Sequence, residues 1–309
     1  MVELETLDVQ MTNDLVRFKF PKPTSLKSEV VWDGERFVDS TGMSQRVLCY
    51  SERESNWTEE LTSLHEQEAG RRHPIDIASR QAAIDTIKAH CTIDHPVVLD
   101  IGCSSGFFLD ELSQQVPHAA MIGADYIASP LRKLAARIER VPLLQLDLRE
   151  CPLPDASVDA VVCLNVLEHI DDHKAALAHL FRILKPGGVG HLEVPAGPWL
   201  YDFYDEVLLH HRRYSMAELT RLISNTGFQI IRATHLGFTV FPLFALRKLW
   251  NRHALRLRPV EKQRRVAREM RKTASSRALR MALRVESALG RRVSFPVGIR
   301  CVVSVRRPD

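Results

Sequence analysis

The stretch that decides the fold is VVLDIGCSSGFFLDEL, residues 97–112. It begins as an apolar run that contains Asp100, turns through Gly102 and Gly106, and continues with the spacing of a helix. A buried strand, a glycine loop and a helix in this order favour a ligand at the carboxyl edge of a parallel sheet. The reason is that glycines permit a tight turn and the helix N-terminus offers unpaired N–H groups. Position 104 is serine, so the G-x-G-x-x-G fingerprint of dinucleotide-binding loops is absent.

Strand and helix patterns alternate along the chain around this loop. Helices are predicted at 74–90, 107–116, 129–140, 172–184 and 215–227. Besides the strand that precedes the loop, strands are predicted at 119–125, 142–147, 157–165, 189–195, 228–236 and 299–307. This alternation at short spacing predicts an α/β fold with a doubly wound, seven-stranded, mostly parallel sheet, Rossmann-like and covered by helices on both faces.

The same patterns divide the chain into four regions. In VVWDGERFV (30–38), the Asp33-Gly34 pair between β-rich flanks suggests a hairpin. A capping pattern at 56–59 opens a further predicted helix that runs to about Glu68. We therefore expect an N-terminal extension (1–55), a ligand-binding core with N-terminal helices (56–236), a helical insert or cap (237–297) and a final core strand (298–309).

Composition and charge narrow the class of protein. The 309 residues are 45% hydrophobic and 26% charged, which excludes wholesale disorder, collagen and coiled coil. The formal charge of +4 hides a division, because residues 247–309 carry 19 basic and 4 acidic side chains, whereas the preceding 246 carry a net −11. An acidic body with a strongly basic end is a charge distribution that needs an explanation.

The cysteine spacing, the N-terminal sequence and the longest apolar stretch bear on the cellular compartment and on membrane insertion. The six cysteines are scattered without a C-x-x-C pair, so neither a zinc site nor a disulfide framework is expected. The N-terminal MVELETLDVQ has no signal-peptide pattern. The apolar stretch 236–246 contains Pro242 and is about half as long as a bilayer-spanning helix. We expect a cytoplasmic protein, and leave open whether it docks peripherally on the inner membrane surface.

Two further acids close predicted strands on the same edge of the sheet. Asp125 ends the second strand, where a carboxylate can accept the hydroxyls of a ribose. Asp147 ends the third, where a carboxylate can accept the amine of an adenine. Since carboxyl ends of parallel strands meet at one edge, Asp100, Asp125 and Asp147 together predict a nucleoside-containing ligand.

At this point the sequence resembles a known family, the class I S-adenosylmethionine (SAM)-dependent methyltransferases. The resemblance covers about 95–236 and implies SAM as the cofactor. It rests on these motifs in order: Asp100-Ile-Gly102-Cys103-Ser-Ser-Gly106, Asp125, Asp147, Asn165-Val-Leu-Glu168-His169-Ile and Arg182-Ile-Leu-Lys185-Pro-Gly-Gly188. The departure is Cys103-Ser104-Ser105, where many members carry glycine or other small residues.

The resemblance also implies a role for each matching position. The loop with Asp100, Gly102, Cys103 and Gly106 would cradle the methionine part of SAM, and Asp125 would bind the ribose. Tyr126 and Ile127 would flank the adenine, Asp147 and Leu148 would hold its edge, and Asn165 would lie near the amino-acid end. HHRRYS (210–215) is similar to the small-molecule branch that includes ubiquinone-pathway, sugar and natural-product O-methyltransferases. In that branch an arginine on the helix before the first strand can hold the SAM carboxylate, and Arg80 is the candidate.

Methylation of a hydroxyl needs a base that titrates near neutral pH, which points to histidine. His169 follows the fourth strand and His210 leads the HHRRYS segment, so both are candidate catalytic residues. The pair Glu168-His169 alone does not define a metal site, and no metal is expected. We therefore predict a SAM-dependent methyltransferase that acts on a small molecule, most simply at oxygen.

The basic end leaves alternatives open. Residues 236–290 place arginines on helical faces opposite apolar stripes, which fits a cap over the active site with solvated arginines. It also fits contact with a membrane surface, or an anionic or lipid-linked acceptor. Nucleic acid is less favoured because aromatic residues are not interleaved with the arginines. The competing functions are therefore an RNA methyltransferase and a SAM-binding scaffold without catalysis; the oligomeric state is left open.

Overall fold

The computed structural model describes residues 19–23, 26, 28–51, 70–251 and 258–309. The helix predicted at 56–68 lies outside these ranges. Near the N-terminus, a small antiparallel sheet contains β1 (Val30–Trp32), β2 (Phe37–Asp39) and β3 (Ser44–Gln45). Trp32 pairs with Phe37, so 30–38 forms a hairpin around Asp33 and Gly34. The carboxylate of Asp33 accepts hydrogen bonds from the backbone N–H groups of two turn residues, which explains why this short sequence closes the hairpin.

The main sheet has eight strands. They are β4 (Val47–Cys49), β5 (Val97–Ile101), β6 (Ala120–Asp125), β7 (Leu143–Gln145), β8 (Val158–Leu164), β9 (Leu184–Pro195), β10 (Gln229–Leu236) and β11 (Arg300–Arg306). Their order is β10-β11-β9-β8-β5-β6-β7-β4, and the six from β9 to β4 run parallel. β11 is antiparallel to both of its neighbours. The doubly wound, mostly parallel fold is confirmed, and β4 adds an eighth strand to the seven predicted.

Helices cover both faces of this sheet. They are α1 (Pro74–His90), α2 (Phe107–Gln115), α3 (Ala128–Ala135), α4 (His173–Ile183), α5 (Phe203–Val207), α6 (Met216–Asn225), α7 (Phe241–Asn251), α8 (Pro259–Ala274) and α9 (Arg277–Gly290). Relative to the helix predicted at 129–140, α3 starts one residue earlier, without the side-chain cap expected from Ser129, and ends at Ala135. Arg140 has a φ of 62°, a left-handed conformation that a right-handed helix cannot include.

The order of strands places the ligand crevice at the centre of the sheet. β5 is buried along its whole length and lies between β6 and β8. The chain therefore leaves β5 toward one side through β6 and β7 and returns to its other side through β8. Such a switch point opens a crevice beyond the carboxyl ends of the adjacent strands, and ligands bind there in open α/β sheets.

Helices α7–α9 lie between β10 and β11, and we call them the roof. Leu283 of α9 packs with Ile75 of α1 and Val302 of β11. Val266 and Met270 of α8 pack on the buried Phe203 of α5, together with Leu208. The roof is therefore fixed to the core by apolar packing on two sides. Within the described residues, no helix has the length and apolarity needed to cross a bilayer.

Candidate active site

A cavity of about 520 Å³ opens at the carboxyl edge of β5, β6 and β8, beneath the roof. This volume is within the range of ligand pockets, about 300–1,000 Å³. Eleven of the thirteen candidate site residues line it, namely Arg80, Asp100, Gly102, Cys103, Asp125, Tyr126, Asp147, Leu148, Asn165, His169 and His210. Gly106 and Ile127 stand outside its lining. The sheet edge therefore brings together residues from seven separate positions along the chain between 80 and 210.

Both glycines of the loop have conformations that require glycine. Gly102 has a φ of 77°, and a Cβ there would lie 2.5 Å from Cγ2 of Val166. Gly106 has a φ of 72°, and its Cβ would meet Cδ1 of Leu134 at 2.5 Å while the residue caps α2. Because a positive φ strains any residue with a side chain and an added Cβ would displace Val166 or Leu134, the two glycines set the path of the loop. Gly106 thus acts on the cavity through loop shape and not by lining it.

Asp100 is a buried carboxylate that faces the cavity. Its Oδ2 has no hydrogen-bond partner among the described residues. Burial, reinforced by the charge of Asp125, raises the pKa of Asp100 to about 8. A buried acid without a partner is costly unless a ligand compensates it. The site therefore suits a ligand that brings positive charge or a hydrogen-bond donor to Asp100.

Asp125 organises the turn beside the loop. Its Oδ2 accepts the N–H of Ser104 at 2.9 Å, and its Oδ1 accepts the N–H of Ile127 at 2.9 Å. Each carboxylate oxygen has further lone-pair capacity, so Asp125 can still accept ligand hydroxyls. Ile127 contributes to the site through its backbone, whereas the neighbouring Tyr126 lines the cavity. The second strand end is therefore rigid and able to bind a diol.

Asp147 lines the cavity, but its carboxylate already accepts hydrogen bonds from Arg149. Arg149 donates from Nη2 to its Oδ2 at 2.7 Å and from its backbone N–H to Oδ1 at 2.9 Å. Leu148 is buried beside it. An amine of a ligand would therefore share Asp147 with Arg149, an arrangement that sequence spacing did not indicate.

Arg80 projects from α1 into the same wall. Its Nη2 lies 2.9 Å from Oε1 of Glu111 and donates to the carbonyl of Arg71 at 2.9 Å. Its Nε is buried with no hydrogen-bond partner in the part of the chain that the structure describes. Arg80 is thus held in position at the cavity wall by an acid and a carbonyl.

Glu193 is a buried site residue that the sequence analysis missed. Its Oε1 accepts hydrogen bonds from Ser79 at 2.7 Å, from Nδ2 of Asn165 at 3.0 Å and from Arg300 at 2.8 Å. Asn165 itself has a φ of 54°. The available signal was an acid inside the otherwise apolar segment VGHLEVP, near the carboxyl end of a predicted strand. Glu193 therefore fixes the orientation of Asn165 at the cavity wall.

His210 forms a hydrogen-bonded pair with a buried acid. Its Nδ1 lies 2.8 Å from Oδ1 of Asp205, and both side chains are almost fully enclosed. Burial lowers the pKa of His210 below its ordinary value, although Asp205 opposes this effect. Because an ionised Asp205 favours a proton on Nδ1, the lone pair is on Nε2 of the neutral ring. His210 therefore has the arrangement of a general base.

A compact ionic network surrounds Asp205. Lys248 of α7 lies 2.6 Å from Oδ1 of Asp202 and 2.9 Å from Oδ2 of Asp205. Arg213 donates to Oδ1 of Asp205 at 2.7 Å. Burial opposes ionisation of Asp205, but the bond from His210 and the two cations outweigh it and hold its pKa below the ordinary value. The network thus keeps Asp205 charged and links the roof to His210.

Glu168 and His169 complete this side of the cavity. Glu168 is fully buried, and neither carboxylate oxygen has a hydrogen-bond partner within the described ranges. Burial raises its pKa to about 8. The ring of His169 packs edge-on against His210 with centroids 4.8 Å apart. Ligating atoms of Glu168, His169 and His210 all lie within 4.8 Å of one another, a spacing that a divalent cation could also use.

The two halves of the cavity differ in chemistry. The half around the loop has the backbone of Gly102 in its lining and a buried acid, Asp100, whose Oδ2 has no hydrogen-bond partner among the described residues. These features fit SAM, which carries a sulfonium and an amino group beside a ribose and an adenine. The half under the roof holds the His210–Asp205 pair, so an acceptor would meet a base there.

Comparisons with known proteins indicate the family. A family described as a methyltransferase domain matches residues 99–192. A Mycolicibacterium smegmatis protein named "Probable S-adenosylmethionine-dependent methyltransferase" is 36% identical over 135 residues, which are 43% of this chain and 52% of that protein. A trans-aconitate 2-methyltransferase from Azoarcus sp. is 33% identical over 115 residues, 37% of this chain and 45% of that protein. The chain thus spans about half the length of these relatives.

A solved structure shares the fold. It is the methyltransferase in a complex with the Trm112 methyltransferase activator of Haloferax volcanii, with a TM-score of 0.52 and 16% identity over 81% of this chain and 95% of that one. At this identity the likeness concerns the fold alone. The matched domain, the names of the relatives and the shared fold together support a class I SAM-dependent methyltransferase with SAM as its cofactor.

Proposed function

We propose that this chain transfers a methyl group from SAM to a hydroxyl oxygen of a small molecule, and that His210 removes the hydroxyl proton. The observation that carries the proposal is the buried His210–Asp205 pair, which opens into the same cavity as the strand-end acids. When bound, SAM supplies an electrophilic methyl group on a sulfonium centre. The protein must then align the acceptor, exclude water and take up one proton.

Residues of the sheet edge would hold the cofactor. Asp125 would accept hydroxyls of the ribose, and Asp147 would share its carboxylate with the adenine edge. Asp100 and the loop that contains Gly102 would receive the cationic end, since Oδ2 of Asp100 has no hydrogen-bond partner among the described residues. Arg80, which lines the cavity, would approach the carboxylate of SAM with its guanidinium. These assignments follow the resemblance residue by residue and are supported by the lining of the cavity.

His210 has the geometry of the base and His169 that of its support. Asp205 accepts the Nδ1–H of His210, which directs the lone pair of Nε2 toward proton uptake and stabilises the imidazolium that forms. The edge-on contact of His169 limits rotation of the His210 ring. His169 would therefore position His210, and only His210 would accept the proton.

The roof closes the acceptor side of the cavity. Phe244 of α7 and Met270 of α8 line it together with Leu208, so apolar surface surrounds the base. Of the roof cations that line the cavity, Lys248 is buried in ion pairs, whereas the side chain of Arg247 is 41% exposed and 3.5 Å from Glu269. Arg247 is therefore the group best placed to meet an anionic substituent. We propose a small anionic or lipid-linked acceptor, and the Azoarcus relative is likewise named for a small-molecule acceptor.

The test is turnover of SAM to S-adenosylhomocysteine with a panel of phenols, catechols and hydroxy acids. We expect at least one hydroxyl compound to be methylated at oxygen, as shown by mass spectrometry. Binding of SAM without turnover on any acceptor would favour the scaffold function. Methylation of RNA, with no reaction on the small molecules, would favour the RNA methyltransferase.

Asp125→Ala is expected to weaken SAM binding about 10- to 100-fold, because each hydrogen bond to a charged group contributes about 1.5–3 kcal/mol. The measurement is the Kd from isothermal titration calorimetry. Asp110→Ala is the control, since Asp110 lies outside the cavity lining and pairs with Arg137. An unchanged Kd for Asp125→Ala would remove Asp125 from the cofactor site.

Chelation tests the role of the Glu168–His169–His210 cluster. We expect turnover to be unchanged after dialysis against EDTA, because the sulfonium donor is already activated and Asp205 supports the base. Glu168→Gln should then keep most of the activity, since burial favours the protonated acid. Loss of activity that a divalent cation restores would instead assign these residues to a metal.

A further inference from the structure

Helix α7 has its apolar face turned to solvent. Leu243, Leu246 and Trp250 are 74%, 65% and 76% exposed, and the spacing of three and four residues places them on one side of the helix. The charged residues of α7 point the other way, because Arg247 and Lys248 line the cavity. This polarity is the reverse of that of an ordinary surface helix.

The remainder of that outer face is also apolar. Pro242 and Leu249 of α7 are exposed as well. The outer face contains no charged residue between 241 and 251. Trp199, 49% exposed, extends the surface through an edge-on contact with Phe241 of α7. Soluble proteins rarely expose a contiguous apolar surface of this kind unless it binds a partner. We call these residues of α7, with Trp199, the apolar face.

Helix α9 of the roof also exposes apolar side chains on one side. Met281, Val285 and Leu289 of α9 are exposed at four-residue spacing. Arg277 and Arg284 are exposed on the same helix. Apolar side chains flanked by arginines on one exposed surface are typical of helices that lie in the plane of a membrane interface.

Charge indicates the chemistry of the partner. Between 258 and 292 the structure places ten basic side chains and one acidic side chain, Glu261, in exposed positions. A second copy of this chain would bring this positive surface against itself, which like-charge repulsion opposes. RNA would satisfy the arginines but leave the leucines of the apolar face in water. An anionic lipid surface satisfies both.

We propose that the roof docks on a bilayer surface rich in anionic phospholipid, with the apolar face at the boundary between headgroups and acyl chains. The arginines of α8 and α9 then lie near the phosphates, where each adds an attraction that salt screens. This binding depends on neither SAM nor methyl transfer. It places the roof between the lipid and the cavity, because the inner sides of α7 and α8 line that cavity.

Flotation tests the proposal with the whole chain and no cofactor. The vesicles contain phosphatidylcholine alone or an equal mixture with phosphatidylglycerol. We expect the protein to float with the anionic vesicles at low salt and to be largely released at high salt or from neutral vesicles. The Leu246→Glu/Trp250→Glu variant should lower the partition coefficient by at least about tenfold, because two apolar anchors become anionic.

Ile93→Glu is the matched control. Ile93 is 52% exposed and precedes β5, so it lies near the opposite edge of the sheet from the cavity. We expect this variant to float as the wild type does. Failure of the wild type to float with anionic vesicles at low salt would overturn the proposal. Equal flotation of the Leu246→Glu/Trp250→Glu variant would also overturn it, as would salt-dependent RNA binding without vesicle binding. SAM affinity, measured alongside, verifies that each variant is folded.

Discussion

His210→Ala is expected to lower kcat by about 10²- to 10⁴-fold, the range that general base catalysis contributes. The reason is structural, since Nδ1 of His210 is held by Asp205 at 2.8 Å while the other nitrogen is left for the acceptor. The Kd for SAM should stay within about twofold of the wild-type value, because the strand-end acids that hold the cofactor are untouched. Single-turnover kinetics and calorimetry measure the two quantities separately.

Two further variants distinguish the base from its surroundings. Asp205→Asn should lower kcat and shift the lower limb of the pH–rate profile, because the amide no longer fixes the tautomer of His210. His211→Ala should leave kcat within about threefold, since His211 is exposed and its backbone N–H bonds the carbonyl of Glu168. If His210→Ala kept wild-type turnover on the true acceptor, His210 would not be the base, and His169 would be the next residue to test.

Lys248→Met is expected to lower the free energy of unfolding by about 3–5 kcal/mol. Lys248 is buried and pairs with both Asp202 and Asp205, which are fully buried. Its removal leaves the enclosed charge of Asp202 without this cation, and Asp205 loses one of its two. Urea denaturation gives the change in stability, and hydrogen exchange over α7 and α8 indicates whether the roof opens before the core.

Lys262→Met is the matched control, because the same substitution then removes a cation from a different pair. Lys262 contacts Glu206 at 2.6 Å and likewise joins the roof to the α5 segment. Glu206 is 42% exposed, so we expect a change of no more than about 1 kcal/mol. Equal losses in the free energy of unfolding for the two variants would show that the buried network stabilises the roof no more than an exposed ion pair does.

The local sequence was sufficient to predict the position of a residue that acts through its own backbone or through its place at the end of a strand. Gly102 and Gly106 were predicted to shape the loop, and their positive φ angles require glycine. Asp100 and Asp125 were predicted at the sheet edge because carboxyl ends of parallel strands meet there, and both line the cavity. The strand before the loop was predicted from its apolar run, since a parallel strand buried on both faces must be apolar along its length.

Pairings between residues that are far apart in the sequence could not be predicted in this way. Lys248 lies 43 residues after Asp205, and no local pattern specifies that they meet. Glu193 was missed because its partners Ser79 and Arg300 are 114 and 107 residues away. The edge strand Val47–Cys49 has only three residues, too few for a periodic signal, and its pairing with β7 depends on the assembled sheet.

The sequence by itself predicted the mostly parallel α/β fold and SAM as the cofactor, because the alternation of strands and helices and the motifs at the strand ends are local patterns. It also showed that positive charge is concentrated after residue 246. The order of the strands came only from the tertiary structure. Only the tertiary structure decided which face of α7 meets solvent, and it turned the leucines outward and Lys248 inward. The physical reason is that Asp202 and Asp205 are buried on another element, and pairing them with Lys248 fixes the rotation of the helix against its hydrophobic preference.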